Sequence, residues 1–183
     1  MTHWFTADSH LGHTGILKHH PNRPGAQTGD IAEHDKALIH NWNSVVKPGD
    51  IVHHVGDFSW RDPEKYLKKL NGQIHLTVGN HDRFKAHQLK AFASVHDISK
   101  VKVEGQLIYL CHYSMRIWNR AHFGTWHLYG HSHGSLRDDP HSFSFDVGMD
   151  CHNYRPISFQ EVAALMAKKK WKARDHHAPP AGS

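Results

Sequence analysis

The stretch Ile51-Val52-His53-His54-Val55-Gly56-Asp57 decides the fold class of this chain. Its first five residues predict a strand, because β-branched residues dominate them, and a glycine and an acidic residue follow at once. Just before it, residues 31–46 place apolar side chains on one helix face, and Pro48-Gly49 ends that helix. A helix that leads into a short apolar strand is typical of layered domains that combine helices with sheets.

Four other apolar runs end in the same way, in side chains that can bind a metal ion. The runs and the residues after them are Trp4–Ala7 before Asp8-Ser9-His10, Ile74–Val78 before Gly79-Asn80-His81-Asp82, Leu107–Cys111 before His112, and Trp126–Tyr129 before Gly130-His131-Ser132-His133. In α/β sheets, ligands gather beyond the carboxyl ends of the strands, so we expect these side chains to meet in one crevice. Alternate residues of an extended segment point the same way, so Asp8 and His10 can face one ion together, as can His131 and His133.

The remaining patterns predict further helices and strands. We expect helices over 63–70 (with Asp62 as N-cap), 83–93 and 158–170, where Ser158 and Glu161 form a capping box, and strands over 95–103, 106–111 and 143–147. Helices and strands alternate first and strands dominate later. This order predicts an α/β or α+β domain with helices on the faces of a sheet, and it leaves the strand order open.

Composition agrees with a globular protein. The 183 residues fit one domain, which we place at 1–172, with 173–183 as a flexible tail because that end lacks periodicity. There is no apolar run of about eighteen residues and no secretory signal pattern, so we expect a cytoplasmic protein with no membrane partner. Two cysteines are too few for a disulfide framework. The formal charge of +5 leaves nucleic acid open as a partner without indicating it.

Histidine is the unusual residue, with 22 copies against 17 aspartates and glutamates. The ligand candidates after the strands are carboxylate, carboxamide and imidazole without thiolate, a mixture that suits Mn, Fe, Zn, Co or Ni. Seven ligands exceed what one tetrahedral ion takes, so we expect two divalent ions, with Asp57 central enough to bridge them. Two such ions with only two carboxylates leave a positive pocket, for which phosphate is the natural guest.

In their order along the chain, these five motifs resemble those of the calcineurin-like metallophosphoesterase family. The resemblance spans Asp8 to His133 and continues through Asp146-Val147-Gly148 and Tyr154–Ile157. It implies a four-layer α/β/β/α sandwich. It also implies one metal held by Asp8, His10, Asp57 and His133, a second held by Asp57, Asn80, His112 and His131, and a catalytic His81 oriented by Asp82. The sequence departs from the family at Trp60, where members often carry aspartate.

We therefore hypothesise a phosphoesterase that acts on phosphodiesters. A hydroxide shared by the two ions would attack phosphorus in line, and His81 would protonate the leaving group as general acid. Contacts to the substrate are expected from His13, Arg23, Arg116 and Asn119. Because family members share their metal ligands, a phosphomonoesterase on the same site stays open, as does a non-catalytic scaffold or partner-binding module.

One of these motifs also matches a different enzyme class. Residues 130–134 match the G-x-S-x-G nucleophile elbow, with Ser132 as nucleophile, and Asp146, Asp150 and His152 follow in the order of a serine hydrolase. That elbow needs a helix directly after it, and residues 135–140 are a poor helix. It also leaves the other four motifs unexplained. Inhibition by chelators rather than by serine-directed reagents separates the two classes.

Overall fold

Two β-sheets form the centre of the molecule in the computed structural model, which describes residues 1–174. The predicted tail begins at 173, so its residues 175–183 lie outside the described part of the chain. The strands are β1 His3–Thr6, β2 Ile51–His54, β3 Gln73–Thr77, β4 Ser94–His96, β5 Ile98–Val103, β6 Gln106–Cys111, β7 Trp126–Tyr129, β8 Ser144–Asp146 and β9 Ile157–Ser158. The helices are α1 Ile16–His19, α2 Ile31–Val45, α3 Pro63–Leu67, α4 Ala86–Leu89 and α5 Phe159–Met166, with 3₁₀ turns at Ala121–Phe123 and Met149–Cys151.

The first sheet has the strand order β4-β3-β2-β1-β9. Strands β1 to β4 are parallel, with Phe5 opposite His53 and His53 opposite His75, and β9 runs antiparallel to β1. Because the four parallel strands keep this register, their carboxyl ends lie along one edge of the sheet. The segments after β1, β2 and β3 therefore emerge side by side.

The second sheet has the order β5-β6-β7-β8. Strand β5 pairs antiparallel with β6 across the predicted Glu104-Gly105 turn, and β6, β7 and β8 are parallel. Both turn residues have a left-handed backbone, with φ of 48° and 88°. The mixed α/β class expected from the sequence is confirmed, and both sheets are rich in parallel pairs.

One predicted strand, residues 95–103, is divided in the structure. Its first part becomes β4 in the first sheet and its second part becomes β5 in the second sheet, with Asp97 between them. The two parts pair with different strands, β3 and β6. Two consecutive polar residues, His96 and Asp97, interrupt the alternation of apolar and polar residues there, but such an interruption does not show that the chain changes sheet.

Apolar side chains fill two layers around the first sheet. Phe5 and Val55 point toward the second sheet and share one buried cluster with Ile108 and Leu128 of that sheet. The opposite face packs against α2 and α3, where Trp42 is 1% exposed. Truncating a buried tryptophan to alanine typically costs about 3–5 kcal/mol. Packing in these layers fixes the positions of the strand ends and therefore of the loops that follow them.

The helices are shorter than the sequence predicts. The expected helix over 83–93 is reduced to Ala86–Leu89, and α3 stops at Leu67. Asp62 is not a side-chain cap, because its backbone is left-handed (φ 39°) and its carboxylate accepts no hydrogen bond from the helix. The capping box of α5 is confirmed: Ser158 accepts from the Glu161 N–H, and Glu161 accepts from the Ser158 N–H.

Residues 113–124 cover the outer face of the second sheet. Trp118 is buried there against Tyr109 and donates its indole N–H to Thr125 Oγ1 at 3.0 Å. Beneath it, His127 is fully buried. Its Nδ1 donates to the Tyr109 carbonyl at 3.1 Å and its Nε2 accepts the Met115 N–H at 3.1 Å, which requires a neutral ring. Burial lowers the pKa of His127 to about 4.

Within residues 1–174, no helix combines the length and the apolar character needed to cross a membrane.

His127 should make the protein sensitive to acid. Its folded-state pKa lies below the usual 6.5, so the unfolded chain binds the proton more readily and stability falls as pH drops from about 6.5 toward 4. In urea unfolding between pH 6.5 and 4.5, the free energy of unfolding of a His127→Gln variant should depend less steeply on pH than that of the unaltered protein. The difference in slope should be up to about 1.4 kcal/mol per pH unit. The exposed His87→Gln is the matched control and should keep the slope. An unchanged slope in the His127 variant would contradict this assignment.

Candidate metal centre

The predicted ligands all follow strands whose carboxyl ends meet at one edge of the two sheets. Asp8 and His10 follow β1, and Asp57 follows β2. The second sheet contributes through β6 and β7, and the two sheets are tied together here because Ala7 pairs with Gly148, just after β8. This junction explains how side chains more than a hundred residues apart reach one place.

The predicted ligands supply two groups of donor atoms, and a third group, His20 with His133 and Asp150, shares His133 with the first. Asp8, His10 and His133 form one group, and Asp57, His112 and His131 form the other; within each group the donor atoms all lie within 4.8 Å of one another. Each group combines imidazole nitrogens with a carboxylate, which is the ligand mixture of catalytic transition-metal sites rather than of calcium sites.

Asp57, a member of the second group, also lies next to the first. Its Oδ2 is 3.5 Å from His10 Nε2 and 3.4 Å from His112 Nε2. Asn80 completes the second group, with its Oδ1 3.0 Å from His112 Nε2 and 3.1 Å from His131 Nδ1. The structure thus brings all seven predicted ligands together at one edge of the two sheets.

The backbone at these residues is strained. Ten non-glycine residues in the described chain have positive φ, and five of them are predicted ligands: Asp8 (57°), His10 (47°), Asp57 (59°), His131 (66°) and His133 (48°). A left-handed backbone costs roughly 1 kcal/mol or more for a residue with a Cβ, and such costs concentrate at functional sites. The left-handed conformations therefore lower the stability of the folded chain, and they direct these five side chains into the cleft.

Two glycines allow the close packing of the loops. A Cβ added at Gly79 would overlap the carboxylate of Asp57, and a Cβ at Gly56 would overlap the ring of His112. Gly56 also has a φ of 88°, which disfavours any other residue. These glycines are required because neighbouring loops touch each other.

The residues present fit a metal ion. His10 Nε2 is buried and has no hydrogen-bond partner, although buried polar atoms are almost always paired. Burial lowers the pKa of His10 far below 6.5, so its lone pair is available. Burial alone would raise the pKa of Asp57, but hydrogen bonds from His112 and from the His81 N–H outweigh it and hold that pKa well below 3.8. A neutral imidazole and an ionised carboxylate are the forms that bind metal.

Asp150 also belongs to this cluster, although the sequence analysis did not predict it there. Its Oδ2 accepts from His133 Nδ1 at 2.7 Å, which leaves His133 Nε2 to face the cluster. The same carboxylate accepts two hydrogen bonds from Arg23, at 2.9 and 2.5 Å. The signal was available: the predicted strand over 143–147 is a sixth strand, and Gly148 and Asp150 follow it.

Arg23 was expected to contact the substrate, and the structure corrects this. Its side chain is fully buried. Besides Asp150, the guanidinium donates to the backbone carbonyls of Asp8 at 2.7 Å and Ser9 at 3.3 Å. The guanidinium also lies 3.3 Å from His34 Nε2 of α2. It therefore joins α2, Asp150 and the loop behind the first donor group, and its buried N–H groups are not available to a substrate phosphate.

His81 and Asp82 follow β3 beside the cleft, and their contacts differ. The ring of His81 is 5.5 Å from that of His10, at the mouth of the site. Asp82 does not orient this ring: its oxygens accept the N–H groups of Asp57, Phe58 and Gly79, each at 2.8 Å. Asp82 instead ties the loop after β2 to the loop after β3, which holds the Asp57 carboxylate in place.

The other expected substrate contacts divide in two. His13 lies at the site, with its ring 5.4 Å from His10. Arg116 is exposed in a surface depression with Arg137 and Arg174, which includes none of the seven ligands. Asn119 is also exposed, and its carbonyl accepts the Thr125 hydroxyl within the segment that covers the second sheet. The chain near residues 116–119 is therefore committed to the outer face of that sheet.

The serine hydrolase alternative fails on geometry. Residues 131–134 form a turn, and no helix follows it. His152 Nε2 bonds to the Asp146 carbonyl at 2.9 Å, and the Asp146 carboxylate accepts the N–H groups of Gly134 and Gly148. His152 and Asp146 are thus engaged with the backbone, and the other candidate aspartate, Asp150, binds His133 and Arg23.

Comparison with known proteins supports the fold and leaves the activity open. No family model matches the sequence. An uncharacterised protein of Methanocaldococcus jannaschii, MJ1445, is 29% identical over 177 residues, which cover 91% of this chain and 92% of the relative. The crystal structure of AQ665 from Aquifex aeolicus, a protein of unknown function, superimposes with a TM-score of 0.68 at 23% identity, covering 90% of this chain and 98% of that one. The chain therefore shares that fold.

A solved archaeal phosphodiesterase overlaps less closely. Its TM-score is 0.44 at 18% identity, covering 81% of this chain and 82% of that one. A likeness this low carries no argument about activity.

Replacing Asp150 tests its supporting role. Asp150→Asn should weaken the binding of one of two metal equivalents about 10- to 100-fold in titration calorimetry, because His133 loses the acceptor that orients it. The exposed Asp97→Asn makes the same chemical change away from the cluster and should bind metal like the unaltered protein. Equal affinities for the two variants would show that Asp150 does not support the site.

Proposed function

We propose that this protein is a metal-dependent phosphoesterase with two divalent ions, acting by preference on phosphodiesters. The observation that carries the proposal is the place of Asp57 Oδ2, between His10 Nε2 of the first donor group and His112 Nε2 of the second. A carboxylate shared by two clusters of imidazoles is the arrangement expected of a two-metal phosphoryl-transfer site.

In this proposal, Asp8, His10, Asp57 and His133 hold one ion, and Asp57, Asn80, His112 and His131 hold the other. Manganese, iron, zinc, nickel and cobalt all suit these donors. Bound there, the ions supply Lewis-acid polarisation of the phosphate and acidify the attacking water. The protein supplies the orientation: Asp150 fixes His133, and the Val55 carbonyl, 2.9 Å from His112 Nδ1, fixes His112.

His81 would donate the proton to the leaving oxygen. Its backbone N–H is bound to Asp57 Oδ1 at 2.9 Å, so the residue is anchored to the bridging carboxylate. Its ring lies between His10, His13 and Trp60 with centroid distances of 5.5 to 5.9 Å. Among residues 1–174, the His81 ring nitrogens have no hydrogen-bond partner, which leaves them for a ligand in the cleft. His13 would help to hold the substrate beside it.

The fold we propose is the four-layer sandwich of the metallophosphoesterases, with residues 113–124 in place of an outer helical layer. The mouth of the site is open, since His131 and Trp60 are both exposed. An open cleft accommodates a phosphate with a substituent on each side, which favours diesters over monoesters. A monoesterase and a non-catalytic module with the same cleft are the alternatives.

Metal stoichiometry tests the centre itself. Purified protein stripped of metal should bind two Mn²⁺ or Zn²⁺ per chain in titration calorimetry. Asp57→Ala should weaken both equivalents, because the shared carboxylate is lost. Asp62 is an exposed aspartate in the same loop region, and the Asp62→Ala variant should still bind two ions. A maximum of one ion per wild-type chain would exclude the two-metal proposal.

Leaving-group dependence tests His81. The His81→Ala variant should still bind two ions. It should hydrolyse methyl nitrophenyl phosphate, whose leaving group is nitrophenolate, only slightly more slowly than the unaltered enzyme. With a diester whose leaving group is an alkoxide, its rate of hydrolysis should fall about 10²- to 10⁴-fold. The exposed His87→Ala should resemble the unaltered enzyme in both reactions. Equal losses with good and poor leaving groups would remove the acid role from His81.

A substrate panel separates the alternatives. The metal-loaded protein should hydrolyse bis-nitrophenyl phosphate with a higher kcat/KM than nitrophenyl phosphate and should be inhibited by EDTA. The reverse preference would indicate a monoesterase. Two bound ions without turnover of any ester would indicate the non-catalytic module.

A further inference from the structure

Exposed aromatic side chains border the candidate centre on two sides. Trp60 is 42% exposed and Tyr113 is 50% exposed. Large aromatic rings are usually withdrawn from water, and rings exposed at the rim of a polar cleft commonly contact a ligand. The proposed chemistry at phosphorus does not use either ring.

Trp60 stands beside the first donor group. Its indole stacks on His13 with a centroid distance of 4.2 Å and an interplanar angle of 6°, and it is 5.9 Å from His81. Its backbone N–H donates to the Leu11 carbonyl at 2.9 Å, and Ser59 pairs with Leu11 in a short parallel bridge. The indole is therefore held in position at the rim while a large part of its surface stays in solvent.

Tyr113 stands beside the second donor group. Its ring is 4.7 Å from that of His131 and 5.3 Å from that of His112, both in edge-on geometry. Trp60 reaches the cluster through His13 and His81, whereas Tyr113 reaches it through His112 and His131. One exposed aromatic ring therefore accompanies each donor group, with the shared Asp57 between them.

We infer that Trp60 and Tyr113 stack on the two bases that flank the scissile phosphate, so that the substrate is a single-stranded nucleotide phosphodiester. This inference rests on the proposed phosphodiesterase activity. Every base offers a π-face to an aromatic ring, and base–aromatic stacking is a general device for binding single strands without sequence preference. The formal charge of +5 favours such an anion. In a duplex both faces of each base are already occupied, so single strands are preferred.

The test compares a dinucleotide with the matched compound that keeps the sugar–phosphate backbone and lacks both bases. For the metal-loaded enzyme, kcat/KM should be at least about 25-fold higher with the two bases present, since stacking is typically worth about 5-fold or more per base. Trp60→Ala and Tyr113→Ala should each reduce that ratio about 5- to 10-fold. Trp60→Phe keeps an aromatic face and should retain most of the preference.

Phe123→Ala is the matched control, because Phe123 is 70% exposed and contacts Arg120 and His122 on the covering segment. It should leave the ratio unchanged. Equal kcat/KM for the two compounds, or a ratio that survives both alanine substitutions, overturns the inference. If bis-nitrophenyl phosphate is cleaved while neither dinucleotide compound is, the substrate class is wrong and the phosphoesterase proposal stands.

Binding provides a readout that does not need turnover. Fluorescence anisotropy should show tighter binding of a single-stranded oligonucleotide than of its abasic counterpart, with the difference reduced in Trp60→Ala. If no ester of any kind is hydrolysed, the proposed activity fails, and this measurement still decides whether the two rings recognise bases. Equal binding of both oligonucleotides by the unaltered protein would overturn the stacking role as well.

Discussion

The carboxylate of Asp57 is the point on which the arrangement of the site depends. One oxygen lies 3.4 to 3.5 Å from imidazole nitrogens of both donor groups, and the other accepts the backbone N–H of His81. The carboxylate is held by its own left-handed backbone and by Asp82, which accepts the Asp57 N–H. A small movement of this residue would separate the donor groups from each other and from His81.

Holding such a residue requires the whole architecture. Two sheets contribute strand ends to one edge, and the apolar layers on either side of the first sheet set their height. The charges then follow from burial. Burial raises the pKa of Asp8 to about 7 in the absence of a neighbouring cation and lowers the pKa of His10. A site of buried carboxylate beside neutral imidazole is unfavourable without a positive charge, which is the physical reason that it fits metal ions.

Some residues around this centre are buried against the ligands, and others are exposed to solvent. Arg23 and Asp150 are buried and bind to each other, to His133 and to the loop after β1. Trp60 and Tyr113 instead keep much of their surface in solvent. An arginine with every donor engaged cannot also bind a phosphate, whereas an exposed ring is accessible to a base, as we propose for Trp60 and Tyr113.

The sequence by itself determined the mixed α/β class, most strands, the capping box at Ser158 and the seven ligand candidates. These features are local: a run of β-branched residues, a cap, or a ligand directly after a strand is visible in a few neighbouring residues. Only the tertiary structure decided that residues 95–103 are shared between two sheets, that Asp150 supports His133, that Arg23 is buried, and that Arg116 and Asn119 lie away from the cluster. Each of these depends on pairing or burial between segments that are distant along the chain, and no local pattern of polar and apolar residues records which distant segment a residue will meet.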